Sequence, residues 1–304
     1  MPSRTSLVLI AAIFVAWAMT GCVKKAELGT ENNPVKLFFV PSVDAKVLET
    51  NAEVFKKYLE QATGYQFEVS IPQSYIAVVE SFGTKRADVA AINTFGYIKA
   101  HEKYGAEARL TVIRHGLATY QSQFLAKADS PIKTLKDLDG KKVAFVDPAS
   151  ASGYLLPMKS LKERQIKPKE TVFAMKHDAV VSMIYQGQVD AGATFYSPPS
   201  DKGIEDARRL VMTQYPDIEK RIKIVELSDA IPNDPIIFRK EMPEEMKNKI
   251  VEAFVAFVAT PEGKVAFKEI YSVDELKKAT DKDYDEVRAM LTSLGTSVDD
   301  LMKK

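Results

Sequence analysis

Cysteine occurs once in the 304 residues, at Cys22, tryptophan once, at Trp17, and histidine only three times, at His101, His115 and His177. A lone cysteine excludes an intrachain disulfide and a thiolate metal cluster. The histidines are scattered without metal-ligand spacing, so neither a metal nor a cofactor is expected. Charge of one sign is lacking too: 42 Lys and Arg stand against 41 Asp and Glu. With no basic surplus to build a binding face, nucleic acid is excluded as a partner. The apolar run at the start, Leu7 to Met19, is too short to span a bilayer comfortably.

That run follows Arg4 and ends at Thr20-Gly21-Cys22, which reads as a secretory signal peptide over residues 1–21. Small residues directly before a lone cysteine resemble a bacterial lipobox. The expectation is a chain that begins at lipidated Cys22, is anchored through it to a membrane of the cell envelope, and faces away from the cytoplasm. Residues 22–34 are polar, lack a periodic apolar pattern, and read as a tether.

From Val35 onward, strand-like and helix-like segments alternate. "VKLFFV" reads as a strand, "AKVLETNAEVFKKYLEQATG" as an amphipathic helix ended by Gly64, then "FEVSI", "YIAVVESFGTK" and "ADVAAI" as strand, helix and strand. The same order returns in "KVAFV", "GYLLPMKSLKERQ", "ETVFAM", "AVVSMIYQG" and "VDAGATF". Ala77–Asp88 aligns with Ala179–Asp190 without a gap, at an offset of 102. This repeat predicts an α/β protein of two similar Rossmann-like lobes with largely parallel sheets. Lobe one is expected over 35–124 and 226–304, lobe two over 125–225, with two chain crossings forming a hinge. The helices after Met242 are expected to pack on lobe one.

The offset pairs Tyr75 with His177, each just before a helix. By position after the first strand of each lobe, Val40–Ser42 likewise corresponds to Val146–Ser150 in lobe two. Polar residues thus gather at the carboxyl ends of strands, where open α/β sheets bind ligands. For Ser150 and Ser152, two readings stay open on the residues alone. They are helix caps, which serine favours in any protein, or they hold an anion at a helix N-terminus. Asn93 and Thr94 repeat that placement in lobe one.

"SYIAVVESFGTKRADVAAINTFGYI", "DPASASGYLLP", "HDAVVSMIYQGQVDAGAT" and "IPNDPIIFRK", in this order, resemble the phosphate, phosphite and phosphonate-binding proteins of ABC importers. These are a branch of the type II periplasmic binding proteins. The resemblance implies a monomeric solute-binding protein, not an enzyme. It would close its lobes over a small tetrahedral oxyanion (phosphite, phosphate or a simple alkylphosphonate) and deliver it to an importer permease. Carried over residue by residue, it implies ligand contacts from Ser150, Ala151, Ser152 and Gly153, from Tyr75, from His177 and from Asp234. Many relatives have threonine where this chain has Ala151. Those that bind aminophosphonates have a tyrosine near Ile92 and a glutamate near Ser197, both absent here, so an amine-bearing ligand is not expected. Two alternatives remain: a subunit that presents an oxyanion to a membrane sensor, or a phosphate-ester hydrolase using Ser150 or Ser152 with His177 and Asp178. The second lacks the G-x-S-x-G elbow.

Overall fold

The computed structural model describes residues 26–201 and 203–293. The expected signal peptide and lipid-bearing Cys22 lie outside the described residues. Two mixed sheets organise the rest. In the first, β1 (Val35–Phe39) runs between β2 (Phe67–Ser70) and β3 (Val89–Ala91), all parallel. The sheet continues through three later strands, β10 (Pro235–Phe238), β4 (Glu107–Ile113) and β11 (Glu275–Lys278), paired antiparallel. In the second sheet β6 (Lys142–Phe145) runs parallel between β7 (Glu170–Phe173) and β8 (Ala191–Tyr196). Beyond β8 follow two long antiparallel strands, β5 (Thr119–Lys127) and β9 (Ile222–Pro232). Parallel pairing is confined to three strands of each sheet, fewer than the β/α alternation suggests, because β4 leads to β5 and β9 to β10 without a crossover helix.

Sequence explains the local choices. In the first helix, α1 (Ala45–Thr63), Leu48, Ala52, Phe55 and Leu59 recur every three to four residues and are buried. The helix stops at Gly64, which takes φ +71°, a left-handed conformation cheap only for glycine. Phe55 meets Phe254, Phe257 and Phe267 at ring-centroid distances of 4.5, 4.9 and 5.0 Å. These come from α7 (Glu244–Ala259) and α8 (Pro261–Tyr271), so the late helices do pack on the first lobe.

The internal repeat is physical. Asp88 and Asp190, the last residues of the aligned segments, do the same work in each lobe. The Asp88 carboxylate accepts the Lys36 N–H at 3.0 Å, and that of Asp190 accepts the Lys142 N–H at 2.8 Å. Each thereby fastens its third strand to its first. The turns before them also correspond: Lys85 and Gly187, again 102 apart, both have positive φ, +55° and +74°.

Two expected boundaries need correction. Residues 124/125 and 225/226 fall inside β5 and β9, which pair with each other along their length and with β8. An apolar alternation marks a strand but not the sheet it joins. We place the two crossings instead at residues 114–118 and 233–234. Asn233 knits them together: its amide nitrogen donates to the carbonyls of Val112 and Leu117, and its oxygen accepts from Arg114. The expected tether is also shorter than 22–34. Gly29 exchanges backbone hydrogen bonds with Asn33 and Gln66, and Leu28 packs on the first-lobe core.

Candidate functional site

Strand ends and helix starts from both lobes converge on one cavity of about 60 Å³. Four helical segments begin around it. In lobe one these are α2 (Tyr75–Gly83) and α3 (Thr94–Tyr104). In lobe two they are a π-helical turn (Ala151–Leu155), which leads into α4 (Leu156–Glu163), and α5 (His177–Gln186).

The serine loop is a helix cap that leaves its first N–H groups unclaimed. The Ser150 hydroxyl oxygen accepts the Gly153 N–H at 3.1 Å, so Ser150 is a cap. The N–H groups of Tyr154 and Leu155 both reach back to the Ser150 carbonyl. Ala151 and Ser152 precede any acceptor in the turn, so their N–H groups point out of the helix end with its partial positive charge. Both residues line the cavity. The Ser152 carbonyl accepts from Ser122 Oγ at 2.6 Å.

Tyr75 and His177 face the cavity from matching positions, 2% and 6% exposed. Burial raises the Tyr75 phenol well above its usual pKa, so it stays a neutral donor. Burial, aided by the nearby Arg114 charge, pushes His177 down to about 3, so its imidazole is neutral. The His177 ring stands edge-on to Phe195 at 5.0 Å, and its buried Nδ1 has no hydrogen-bond partner.

Seven of the nine expected contacts line this cavity: Tyr75, Asn93, Ser150, Ala151, Ser152, His177 and Asp234. Thr94 and Gly153 do not. Thr94 is buried and donates its hydroxyl to the Pro232 carbonyl at 2.8 Å. The Gly153 N–H is already held by Ser150. Glycine is required there by packing, since a Cβ would sit 2.4 Å from Val146 Cγ2. Asn93 caps α3 through its oxygen, while its amide donates to the Ala149 carbonyl of the other lobe at 2.6 Å. Further bonds cross between the lobes, from the His177 N–H to the Ser42 carbonyl at 3.1 Å and from the Tyr75 N–H to Asp147 at 3.4 Å.

Sequence reasoning missed two cations on the cavity wall, Arg114 and Arg209. Arg114 follows β4 directly, at a strand's carboxyl end, and that position was the available signal. Its Nη2 donates to Asp234 Oδ2 at 2.6 Å, its Nε to the Tyr271 carbonyl at 2.8 Å, and its guanidinium lies 5.2 Å from the Tyr120 ring centroid. Asp234 is therefore a charge partner as well as a turn residue. Its other oxygen, Oδ1, is buried with no partner, an acceptor open to a ligand proton. Arg209 lies on a 3₁₀ turn, Ala207–Val211, without periodicity to mark it.

A family described as "ABC transporter, phosphonate, periplasmic substrate-binding protein" matches residues 37–284. Among curated proteins, "Phosphate-import protein PhnD" of Mycolicibacterium smegmatis is 32% identical over 197 residues, covering 60% of this chain and 61% of that one. The "Phosphonates-binding periplasmic protein" of Escherichia coli is 25% identical over 221 residues, covering 71% and 64%. The chain thus spans somewhat under two thirds of the length of these relatives. Among solved structures, a binding protein component of an ABC phosphonate transporter from Pseudomonas aeruginosa superposes with a TM-score of 0.76 at 21% identity, covering 86% of this chain and 87% of the other. PhnD1 of Prochlorococcus marinus, in complex with methylphosphonate, gives 0.72 at 18% identity, covering 86% and 98%. At such identities the likeness shows the fold, the two-lobed architecture of periplasmic binding proteins.

Proposed function

This chain belongs to the family of periplasmic substrate-binding proteins of phosphonate ABC transporters, and from that membership we propose that it captures a small tetrahedral oxyanion between its lobes. The ligand is phosphite, phosphate or a simple alkylphosphonate, and the partner is an importer permease. The observation that carries this reading is the Ser150–Ser152 turn, with its outward N–H groups in a buried cavity also lined by Tyr75 and His177. Neutral donors, helix-end N–H groups and two guanidiniums suit an anion. Asp234 Oδ1 suits one that still carries a proton, since an ionised carboxylate can only accept.

Binding rather than turnover is supported by how the hydroxyls are used. Ser150 Oγ accepts from Gly153 and His177 Nδ1 has no partner, so no serine, base and orienting acid are linked. We also propose that the protein works as a monomer held to the outer face of a membrane by lipid on Cys22. Among the described residues no helix is long and apolar enough to cross a membrane. Metabolic lipid labelling of Cys22→Ser tests the anchor, and unchanged labelling removes it.

Titration calorimetry with phosphite, phosphate and methylphosphonate tests the ligand class. Saturable binding of at least one anion is expected. No heat with any of the three, for a protein shown to be folded, overturns the reading.

A further inference from the structure

Arg114 and Arg209 share the cavity wall but are satisfied differently. All three nitrogen groups of Arg114 donate hydrogen bonds, and its charge is matched by Asp234 at 2.6 Å. Arg209 belongs to lobe two, where Ala207 and Val211 of the same turn enter the core. Its Nη2 reaches across to lobe one, donating to the Lys268 carbonyl at 2.9 Å and to Ser272 Oγ at 2.6 Å. Its Nε is buried with no hydrogen-bond partner. The Glu205 carboxylate lies 3.9 Å away, but it is already engaged by Lys268 Nζ at 3.1 Å and Ser200 Oγ at 2.8 Å. Burial lowers the Arg209 pKa from its ordinary value, as befits a cation short of solvation.

We infer that Arg209 is a ligand-contacting, specificity-determining residue that donates its Nε–H to the bound anion while its Nη2 fastens lobe two to lobe one. This rests on the oxyanion reading and narrows it. A guanidinium that cannot lose its proton rewards an anionic oxygen and repels an ammonium group placed beside it. The substrate class is then oxyanions whose substituent is neutral or acidic, with amine-bearing phosphonates rejected. The contact also couples binding to closure, because Arg209 can meet Lys268 and Ser272 only when the lobes approach.

The test is calorimetry on the full protein with methylphosphonate and 2-aminoethylphosphonate, for wild type, Arg209→Gln and Arg209→Lys, beside thermal melts without ligand. Wild type should prefer methylphosphonate at least tenfold. Arg209→Gln should lose tenfold or more in methylphosphonate affinity, and the preference should fall toward one. Arg209→Lys keeps the charge without the planar fork. It should lose affinity several-fold and keep the preference, and it carries the test should the Gln variant not fold. A residue that only latches the lobes would lower both affinities equally and leave the preference unchanged, which overturns the inference. So does wild-type affinity in either variant. A wild type that binds methylphosphonate, phosphite and phosphate not at all overturns the oxyanion reading and this one together.

Discussion

The two lobes make the same turn after their first strand and finish it with different caps. In lobe one, Asp44 closes the turn and its carboxylate accepts the N–H groups of Lys46 and Val47 at 2.9 and 3.3 Å. In lobe two, Ser150 closes it with a neutral hydroxyl that takes the Gly153 N–H alone. A carboxylate at the N-cap cancels the helix end's positive character and repels a second anion. A hydroxyl leaves that character intact and leaves the Ala151 and Ser152 N–H groups to bind. On the proposed reading, one fold used twice yields one lobe whose first helix would grip an oxyanion and one whose first helix would not. The cap chemistry decides which.

The strongest way to break the contrast is to give lobe two the cap of lobe one. Asp caps a helix as well as Ser does, so Ser150→Asp should keep its melting temperature. Methylphosphonate binding should nevertheless fall more than a hundredfold, a cost of roughly 3 kcal/mol or more for juxtaposed like charges. Retained affinity in calorimetry would show that the first turn of lobe two does not face the ligand.

Next come the matched side chains. Tyr75→Phe and His177→Phe should each weaken anion binding by about 1.5–3 kcal/mol, the value of a hydrogen bond to a charged group. They should differ in pH behaviour. Folded, His177 stays neutral down to about pH 3, whereas its ordinary value is 6.5. Between those values only the unfolded chain takes up the proton, so stability falls as pH drops through that window. Melts from pH 6.5 to 3 should therefore be flatter for His177→Phe than for wild type, and unaltered in slope for Tyr75→Phe.

A smaller effect concerns the third helical position. Lobe one has Val47 where lobe two has Gly153. Gly153→Ala brings a Cβ to 2.4 Å from Val146 Cγ2 and should cost about 1–3 kcal/mol in a denaturant titration through overpacking. Smallest of all is the turn that ends the aligned helices. Lys85 holds a left-handed conformation that its counterpart Gly187 adopts freely. Lys85→Gly should raise stability by up to about 1 kcal/mol, and no gain would mean that Lys85 is not strained there.

The sequence carried the repeat because a core-facing stripe and an Asp at a fixed spacing are local features. The pairing of Tyr75 with His177 followed from it without any structure. Arg209 was illegible for the opposite reason: its partners, Lys268 and Ser272, are about sixty residues away and meet it only across the cleft. Gly153 and Thr94 looked like ligand contacts by position. Whether an N–H or a hydroxyl is free depends on which neighbour takes it first, here Ser150 and the Pro232 carbonyl. The sheet membership of β5 and β9 was hidden likewise, since both lobes offer an edge to an alternating strand.

Asn233 hydrogen-bonds the carbonyls of Val112 and Leu117 and accepts from Arg114, so it holds both crossings at once. The crossings are then a stapled ribbon rather than two independent threads. Such a ribbon bends readily across its width and resists shear along its length. On the proposed hinge, opening the cleft would reduce to rotation about a single line, and one barrier would set the residence time of whatever is enclosed.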